Sequence, residues 1–381
     1  METKNAQHTV IIPSYNTLGH LKNTYQSIKK YAPNVPMIIV DDASEDGTDV
    51  WLNSLNDDKL TIIIDKERKG HTYWYDEGMK RAKTEIVSIL HSDMIIGPNY
   101  FENMLKHLEK GKVICATRIE PPIHPAGLEK HVQNFGMDYH DFVWDAFENF
   151  CIETSNNDKD VTTKGIFAPW ILYKEDHFKV GGHDQRFAPY GYEDSDIFNK
   201  WILGGLEMVQ SRDALCYHMT CRGHRWNEGV GIENADYKET MDKGRREFLR
   251  KWGEWIQNDS YQYPIIHPKY DKGLIIKNCT DQFIEMLEPW FDTLYVDCDY
   301  KPYIQKEQKR TVTNLSDRLK PYDNEKQNNI LVTIDTQKFT QQDYVYINQL
   351  SAIIQDSGKI GEFELGNLKI SIIRIEEYLV S

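Results

Sequence analysis

The sequence predicts an α/β protein in which a large mixed sheet of Rossmann-like type precedes a smaller C-terminal α/β domain. Three observations carry that expectation. Short β-branched runs recur through the first half, each stopping in a cluster of polar residues. Stretches with apolar residues at helical spacing fall between them. A second series of apolar runs follows a polar, proline-containing stretch late in the chain.

Thr9-Val10-Ile11-Ile12-Pro13 has the pattern of a buried strand, and Ser14-Tyr15-Asn16 ends it in a turn. Leu18, Leu21, Tyr25 and Ile28 recur on one face of the next helix. Met37-Ile38-Ile39-Val40 forms a second strand and stops at Asp41-Asp42-Ala43-Ser44. Residues 60–64 give a third strand and residues 73–83 a helix. Glu85 to Leu90 reads as a strand buried on both faces, and it halts at His91-Ser92-Asp93. Strands alternating with helices in this way put their polar ends at one edge of a parallel sheet, where such sheets keep ligands.

Val113 to Ala116 adds a strand, and residues 120–163 read as one long irregular segment. Helical spacing through Ile197, Trp201 and Ile202 ends at Gly204-Gly205, so Glu193 and Asp194 stand at a helix N-terminus. Two short strands (206–209 and 214–219) and a charged helix (236–255) complete a first domain spanning 1–257. Residues 258–272 form a linker. The second domain, 273–381, has strands near 274–276, 293–296, 330–334 and 368–375, with a helical stretch at 282–291.

The 381 residues carry a formal charge of −14, which argues against a nucleic-acid binder or a reader of anionic membranes. Residues 1–8 are polar, with no apolar core of a signal peptide, and no apolar run approaches transmembrane length. The six cysteines are scattered without a framework, as in reduced cytoplasmic proteins. No Gly-x-Gly-x-x-Gly or Walker loop follows the first strand.

Asp42 suits the imide N–H of a uracil ring, with Pro13 and Tyr15 flanking that base; Asp41 and Asp42 also suit helix capping. Val10-Ile11-Ile12-Pro13-Ser14-Tyr15-Asn16, then Ile39-Val40-Asp41-Asp42-Ala43-Ser44 with Asp46-Gly47-Thr48, then Leu90-His91-Ser92-Asp93, form an ordered set. That set resembles glycosyltransferase family 2, of the GT-A fold, from about residue 8 to 226. The resemblance implies that Asp42 binds the nucleotide base. It also implies that Asp93 closes an Asp-x-Asp motif and holds Mn²⁺ or Mg²⁺ on a sugar-nucleotide diphosphate. Here His91 replaces the first acid, which weakens the pull on a hard cation while leaving a possible imidazole ligand. Ser92 is expected beside them among the nucleotide contacts. Arg68-Lys69-Gly70-His71 stands where relatives approach the nucleotide, and Lys69 is expected in the site, with Arg68 beside it. Asp76 is assigned to helix packing.

Phe178-Lys179-Val180-Gly181-Gly182-His183-Asp184 and Gly191-Tyr192-Glu193-Asp194-Ser195-Asp196 resemble the family's Val-Gly-Gly-Phe-Asp and Glu-Asp-x-Asp motifs. By that resemblance Asp194 is the general base of an inverting transfer, and Glu193 binds acceptor or orients the loop. Trp170 joins Glu193 on the acceptor side. Relatives place a histidine near His218 as the last metal ligand. Arg222 or Arg225, on the Gly-hinged loop through Asn227, is expected to offset charge on the departing nucleotide. The expected activity is transfer from a nucleotide-diphosphate sugar, UDP-linked with GDP open, to a hydroxyl of a glycan or other molecule. A retaining transferase on the same fold and a non-catalytic carbohydrate- or protein-binding module, suggested by His91, are the alternatives. Cys216, His218, Cys221 and His224 are also zinc-competent, at a spacing that matches no common structural zinc pattern.

Overall fold

The computed structural model describes residues 8–226 and 231–378; Asn227 and the polar residues before His8 lie outside that range. Contacts divide the chain into two units. One runs to Thr240 and takes in Asn258–Pro264, and the other comprises Met241–Gln257 and the chain from Ile265 on.

The first unit is built on ten strands in one mixed sheet. Its β-branched runs become β1 (His8–Ser14), β2 (Met37–Asp42), β3 (Leu60–Asp65) and β4 (Ile86–Ile89), all parallel, in the order β3-β2-β1-β4. Helices α1 (Leu18–Tyr31), α2 (Thr48–Ser54) and α3 (His71–Arg81) connect them. β1 and β2 are buried along their whole length, as continuous apolar runs require. Beyond β4 come β5 (Met94–Ile96), α4 (Tyr100–Leu105), β6 (Lys112–Glu120) and the short β7 (Lys130–Val132). The sheet continues past β4 through β9 (Trp170–Tyr173), β6 and β10 (Glu207–His218) to β5. β9 is antiparallel to both its neighbours, and β5 is antiparallel to β10.

Two expectations need correcting. The segment 120–163 is not irregular throughout: it contains β7, α5 (Trp144–Asn157) and the two-residue β8 (Thr162–Thr163). Phe135, Phe142 and Phe147 bury against Leu215 and Tyr217, so the segment covers the face of β10 turned away from the main core. The two strands expected at 206–219 are one strand, with a register shift between Gln210 and Leu215 where it pairs with β6. After β9 come α6 (Lys174–Lys179) and α7 (Glu193–Leu203), which carries the acidic cluster at its first turn.

The second unit holds a six-stranded sheet. Leu319–Pro321, Thr293–Val296, Lys272–Lys277 and Ile330–Asp335 lie parallel in that order, and Leu368–Ile372 and Gly361–Leu365 extend the sheet antiparallel. The expected boundary at 257 and linker to 272 differ from this division. Most of α8 (Tyr237–Trp252) counts with the second unit because Arg246 and Arg250 are buried there in an ion network. Lys272, expected in a linker, is fully buried and donates to the Gly253 carbonyl at 2.6 Å.

Glu288 anchors that network. It is fully buried and accepts from Arg250 Nη2 at 2.6 Å, Arg318 Nε at 2.7 Å and the Tyr303 hydroxyl at 2.8 Å. Burial alone would raise its pKa, but Arg318 and Arg250 outweigh that and bring it down to about 2. Removing one member of a buried ion cluster leaves the rest uncompensated. Glu288→Ala is therefore expected to destabilise the second unit by about 3–5 kcal/mol, measured as denaturant unfolding followed by tryptophan fluorescence.

Candidate active site

The carboxyl ends of β1, β2 and β4 open on a cleft of about 570 Å³. Pro13, Tyr15, Asp42, His91, Ser92 and Asp93 line it, as the sequence predicts for polar strand ends. The opposite wall comes from the first residues of α3 and from the loop Arg222-Gly223-His224. Gly70, at φ +88°, lets that wall close: a Cβ there would lie 2.1 Å from the Pro189 carbonyl oxygen.

Asp93 is buried behind the cleft surface. Its Oδ2 accepts from the Arg222 backbone N–H at 3.2 Å, and its Oδ1 lies 3.5 Å from His218 Nε2. Thr220 and Cys221 both take left-handed backbone, φ +61° and +60°, in the turn that returns Arg222 to Asp93. Non-glycine residues adopt that conformation at a cost of about 1–3 kcal/mol, a strain that collects at functional sites. His91 faces His218 with ring centroids 5.5 Å apart. One ligand atom from each of His91, Asp93 and His218 lies within 4.8 Å of the others, so the three can hold one divalent cation. The zinc alternative is not formed: Cys216 is buried in the main core, and Cys221 Sγ instead lies 3.8 Å from His124 Nε2.

Asp42 is engaged more heavily than its expected role suggests. Its Oδ1 accepts from the Lys69 N–H and from Trp74 Nε1, both at 2.8 Å, and its Oδ2 accepts from the Gly70 N–H at 2.7 Å. A carboxylate has about four acceptor positions, so Oδ2 keeps one for a ligand in the cleft. Ser92 hydrogen-bonds the Thr17 hydroxyl at 2.8 Å, and Thr17 in turn meets Ser14 at 2.9 Å, bracing the cleft floor.

Glu193 and Asp194 begin α7, and their environments push them apart. Glu193 Oε1 lies 2.6 Å from His71 Nε2. Burial would raise the Glu193 pKa, but the His71 imidazole outweighs it and lowers the value. For His71 the sign reverses: burial opposes the charged ring, and Glu193, Asp194 and Asp42 raise its pKa above the usual histidine value. Among the described residues Asp194 has no such partner. Burial and the neighbouring Glu193 charge push it up to about 7. Two adjacent carboxyls with separated pKa values form the usual signature of an acid–base pair.

Three expected residues lie elsewhere. Lys69 turns its ammonium to Asp65 at 2.6 Å and does not line the cleft; Arg68 does, its guanidinium 3.9 Å above the Tyr15 ring. Arg225 pairs with Glu233 at 2.5 Å, leaving Arg222 as the arginine of that loop in the cleft wall. Trp170 is fully buried in the main core, because β9 runs between β4 and β6, so it offers no acceptor surface. The sequence reading also missed residues. His71 and Tyr75 line the cleft, and Glu120, at the end of β6, stands 3.3 Å behind His218 Nδ1.

A second histidine–carboxylate group sits beneath the cleft. Asp76 Oδ1 meets His177 Nε2 at 2.8 Å and His183 Nδ1 at 2.6 Å, and its Oδ2 accepts from the His183 N–H at 3.0 Å. Its three ligand atoms are also mutually close enough for a metal. The separations are those of direct hydrogen bonds, which fits a brace between α3 and the Gly-Gly-His turn. Asp76 thus packs its helix, as expected, by charge rather than by apolar contact.

Residues 9–180 match the family model described as glycosyl transferase family 2, and residues 153–222 match one described as N-terminal domain of galactosyltransferase. The putative teichuronic acid biosynthesis glycosyltransferase TuaG of Bacillus subtilis is 33% identical over 88 residues, covering 22% of this chain and 35% of the relative. The validoxylamine A glucosyltransferase of Streptomyces hygroscopicus is 23% identical over 230 residues, 54% of each chain. The chain thus spans about a third to a half of the length of the curated relatives it matches. Among solved structures, a Pyrobaculum calidifontis mannosyltransferase with GDP-Man and Mn²⁺ aligns at TM-score 0.41 and 19% identity, covering 59% of this chain and 58% of that one. GalNAc-T7 with UDP, GalNAc and Mn²⁺ aligns at 0.44 and 14%, covering 65% and 48%.

The raised pKa of Asp194 carries a stability consequence with a definite sign. The folded state holds this proton more tightly than the unfolded chain does. Stability is therefore lost as pH rises from the ordinary carboxyl range to about 7, and stays lost above it. Asp194→Asn is expected to raise the thermal midpoint at pH 8 and to leave it unchanged at pH 3.5, read by calorimetry at both.

Proposed function

Residues 9–180 belong to glycosyltransferase family 2, and from that premise we propose that the cleft moves a sugar from a nucleotide-diphosphate donor to an acceptor hydroxyl with inversion. The observation that carries this reading is the meeting of Asp93, His91 and His218 at the ligand edge of the sheet, with His71, which holds Glu193 of the Glu193-Asp194 pair, stacked 6.2 Å from His91.

The nucleotide base fits between Pro13 and Tyr15, with Asp42 Oδ2 accepting its imide proton. Arg68, stacked on Tyr15 with an unpartnered Nε–H, is the nearby donor for a base carbonyl. Uracil satisfies both groups, which favours a UDP-linked sugar. Asp93 Oδ1, His218 Nε2 and His91 would hold a divalent cation, manganese or magnesium, which neutralises the diphosphate of the leaving nucleotide. Two imidazoles in this set suit manganese better than magnesium. Arg222 gives its backbone N–H to Asp93 on the same wall, while its guanidinium donates to the Met137 carbonyl and lies 3.8 Å from Asp138.

Asp194 acts as the base. As the acceptor oxygen attacks the anomeric carbon, its proton passes to the Asp194 carboxylate. The bond from that carbon to the diphosphate oxygen breaks, and the electron pair leaves with the nucleotide. A carboxyl whose pKa lies near 7 is matched to proton transfer at neutral pH. Glu193, held by His71, stays charged and orients the acceptor side.

Three measurements test this reading. Asp194→Asn should lower transfer by at least 10³-fold while UDP binding by calorimetry stays within about twofold; retained turnover would remove Asp194 as base. Arg68→Ala should weaken UDP about tenfold or more, whereas Lys69→Ala should leave it unchanged, since Lys69 points to Asp65. EDTA should abolish transfer and Mn²⁺ restore it, assayed as sugar-nucleotide turnover with candidate acceptors.

A further inference from the structure

We propose that Glu120 is the positioning residue that makes His218 a cation ligand, supplying at one imidazole's remove the carboxylate that His91 displaces from the Asp-x-Asp position. This inference rests on reading the His91, Asp93 and His218 group as a divalent-cation site.

The geometry runs in one line. Glu120 Oε1 lies 3.3 Å from His218 Nδ1, and on the far side of the ring His218 Nε2 lies 3.5 Å from Asp93 Oδ1. A carboxylate accepts and does not donate, so the Glu120 contact places the ring proton on Nδ1. In the neutral ring that leaves the Nε2 lone pair facing an Asp93 oxygen, two electron-rich atoms with no proton between them. A cation between them turns that repulsion into two bonds. The alternative is an imidazolium salt-bridged to both acids, and the two states differ in a measurable proton on Nε2.

Glu120 is itself immobilised. Arg118 Nη1 donates to its Oε1 at 2.6 Å and Lys130 Nζ donates to its Oε2 at 2.7 Å, both from buried positions. Burial would raise the Glu120 pKa, but His218, Arg118 and Lys130 outweigh it and hold the group well below the usual carboxylate range. It cannot swing into the cleft without breaking both bonds, so it acts through the imidazole. Backbone pairing reinforces this: Ile119 of β6 is the register partner of Tyr217 of β10, which puts the next residues on both strands, Glu120 and His218, side by side. A carboxylate behind a ligating histidine fixes the ring's tautomer and raises its basicity, and losing it costs metal affinity about 10–100-fold.

The test is Mn²⁺ affinity of the full chain, measured by electron paramagnetic resonance with and without UDP. Glu120→Gln should weaken Mn²⁺ about 10–100-fold, and adding His91→Asp should restore most of it by returning the missing acid. Because Glu120→Gln leaves Arg118 and Lys130 short of a counter-charge, Glu120→Asp serves as a second variant that keeps the charge but withdraws it from the ring; it should lose affinity too. In metal-free wild type, ¹⁵N shifts of the His218 ring should show a proton on Nδ1. Equal Mn²⁺ affinity in wild type and both Glu120 variants, or a His218 ring carrying its proton on Nε2, would overturn the proposal while leaving the transferase reading intact. A wild type that binds no Mn²⁺ even with UDP would overturn both.

Discussion

The site depends on one backbone register. In the antiparallel pair β5–β10, His218 stands opposite Met94, the residue after Asp93. That pairing brings two side chains 125 positions apart in sequence to 3.5 Å. Strand register is set by which faces are buried, and here both faces are: Met94, Ile96 and Cys216 enter the main core, while Ile95, Leu215 and Tyr217 enter the cluster beneath α5. A slip by one residue would exchange those two sets and turn His218 away from Asp93. The meeting of Asp93 and His218 is thus specified by apolar packing on both sides of the sheet, and the long segment before β9 is part of that specification.

Within a small volume, four carboxylates are set to four different states by their neighbours. Asp42 is occupied by two backbone N–H groups and an indole, with one acceptor position left on Oδ2. Asp93 is half occupied by one backbone N–H, with an oxygen left for a ligand. Glu193 is neutralised by an imidazole, and Asp194 is left to share its surroundings with that acid. The chemical groups are alike; the number and kind of donors around each decides which binds, which holds and which exchanges a proton.

The parts of this arrangement that lie along one strand or at its end were legible in the sequence. Buried apolar runs stopping at Asp42 and at Asp93 announced a sheet with a ligand edge, and Glu193-Asp194 before a periodic stretch announced an acidic helix start. Illegible were contacts made across the fold. Nothing local distinguishes Arg68 from Lys69; which one faces the cleft follows from Asp65 lying four residues before Lys69. Glu120 ends a strand whose alternation looks ordinary, and its meaning appears only when β6 lies beside β10. Trp170 was expected on the acceptor side, but an antiparallel strand inserted mid-sheet is buried on both faces. Helix α8 looked like the close of the first domain, since its charges gave no hint that acids more than thirty residues later would bury them.

Asp42 has a double employment that constrains exchange at its position. The same two oxygens that border the cleft also tie down the Lys69–Gly70 peptide and the Trp74 indole, so any exchange at this position loosens the wall. The Arg68 guanidinium on the same cleft is held differently, 3.9 Å above the Tyr15 ring and with Nη1 3.4 Å from Asp236 Oδ2, so exchange there would loosen an ion pair and leave the strand ends untouched.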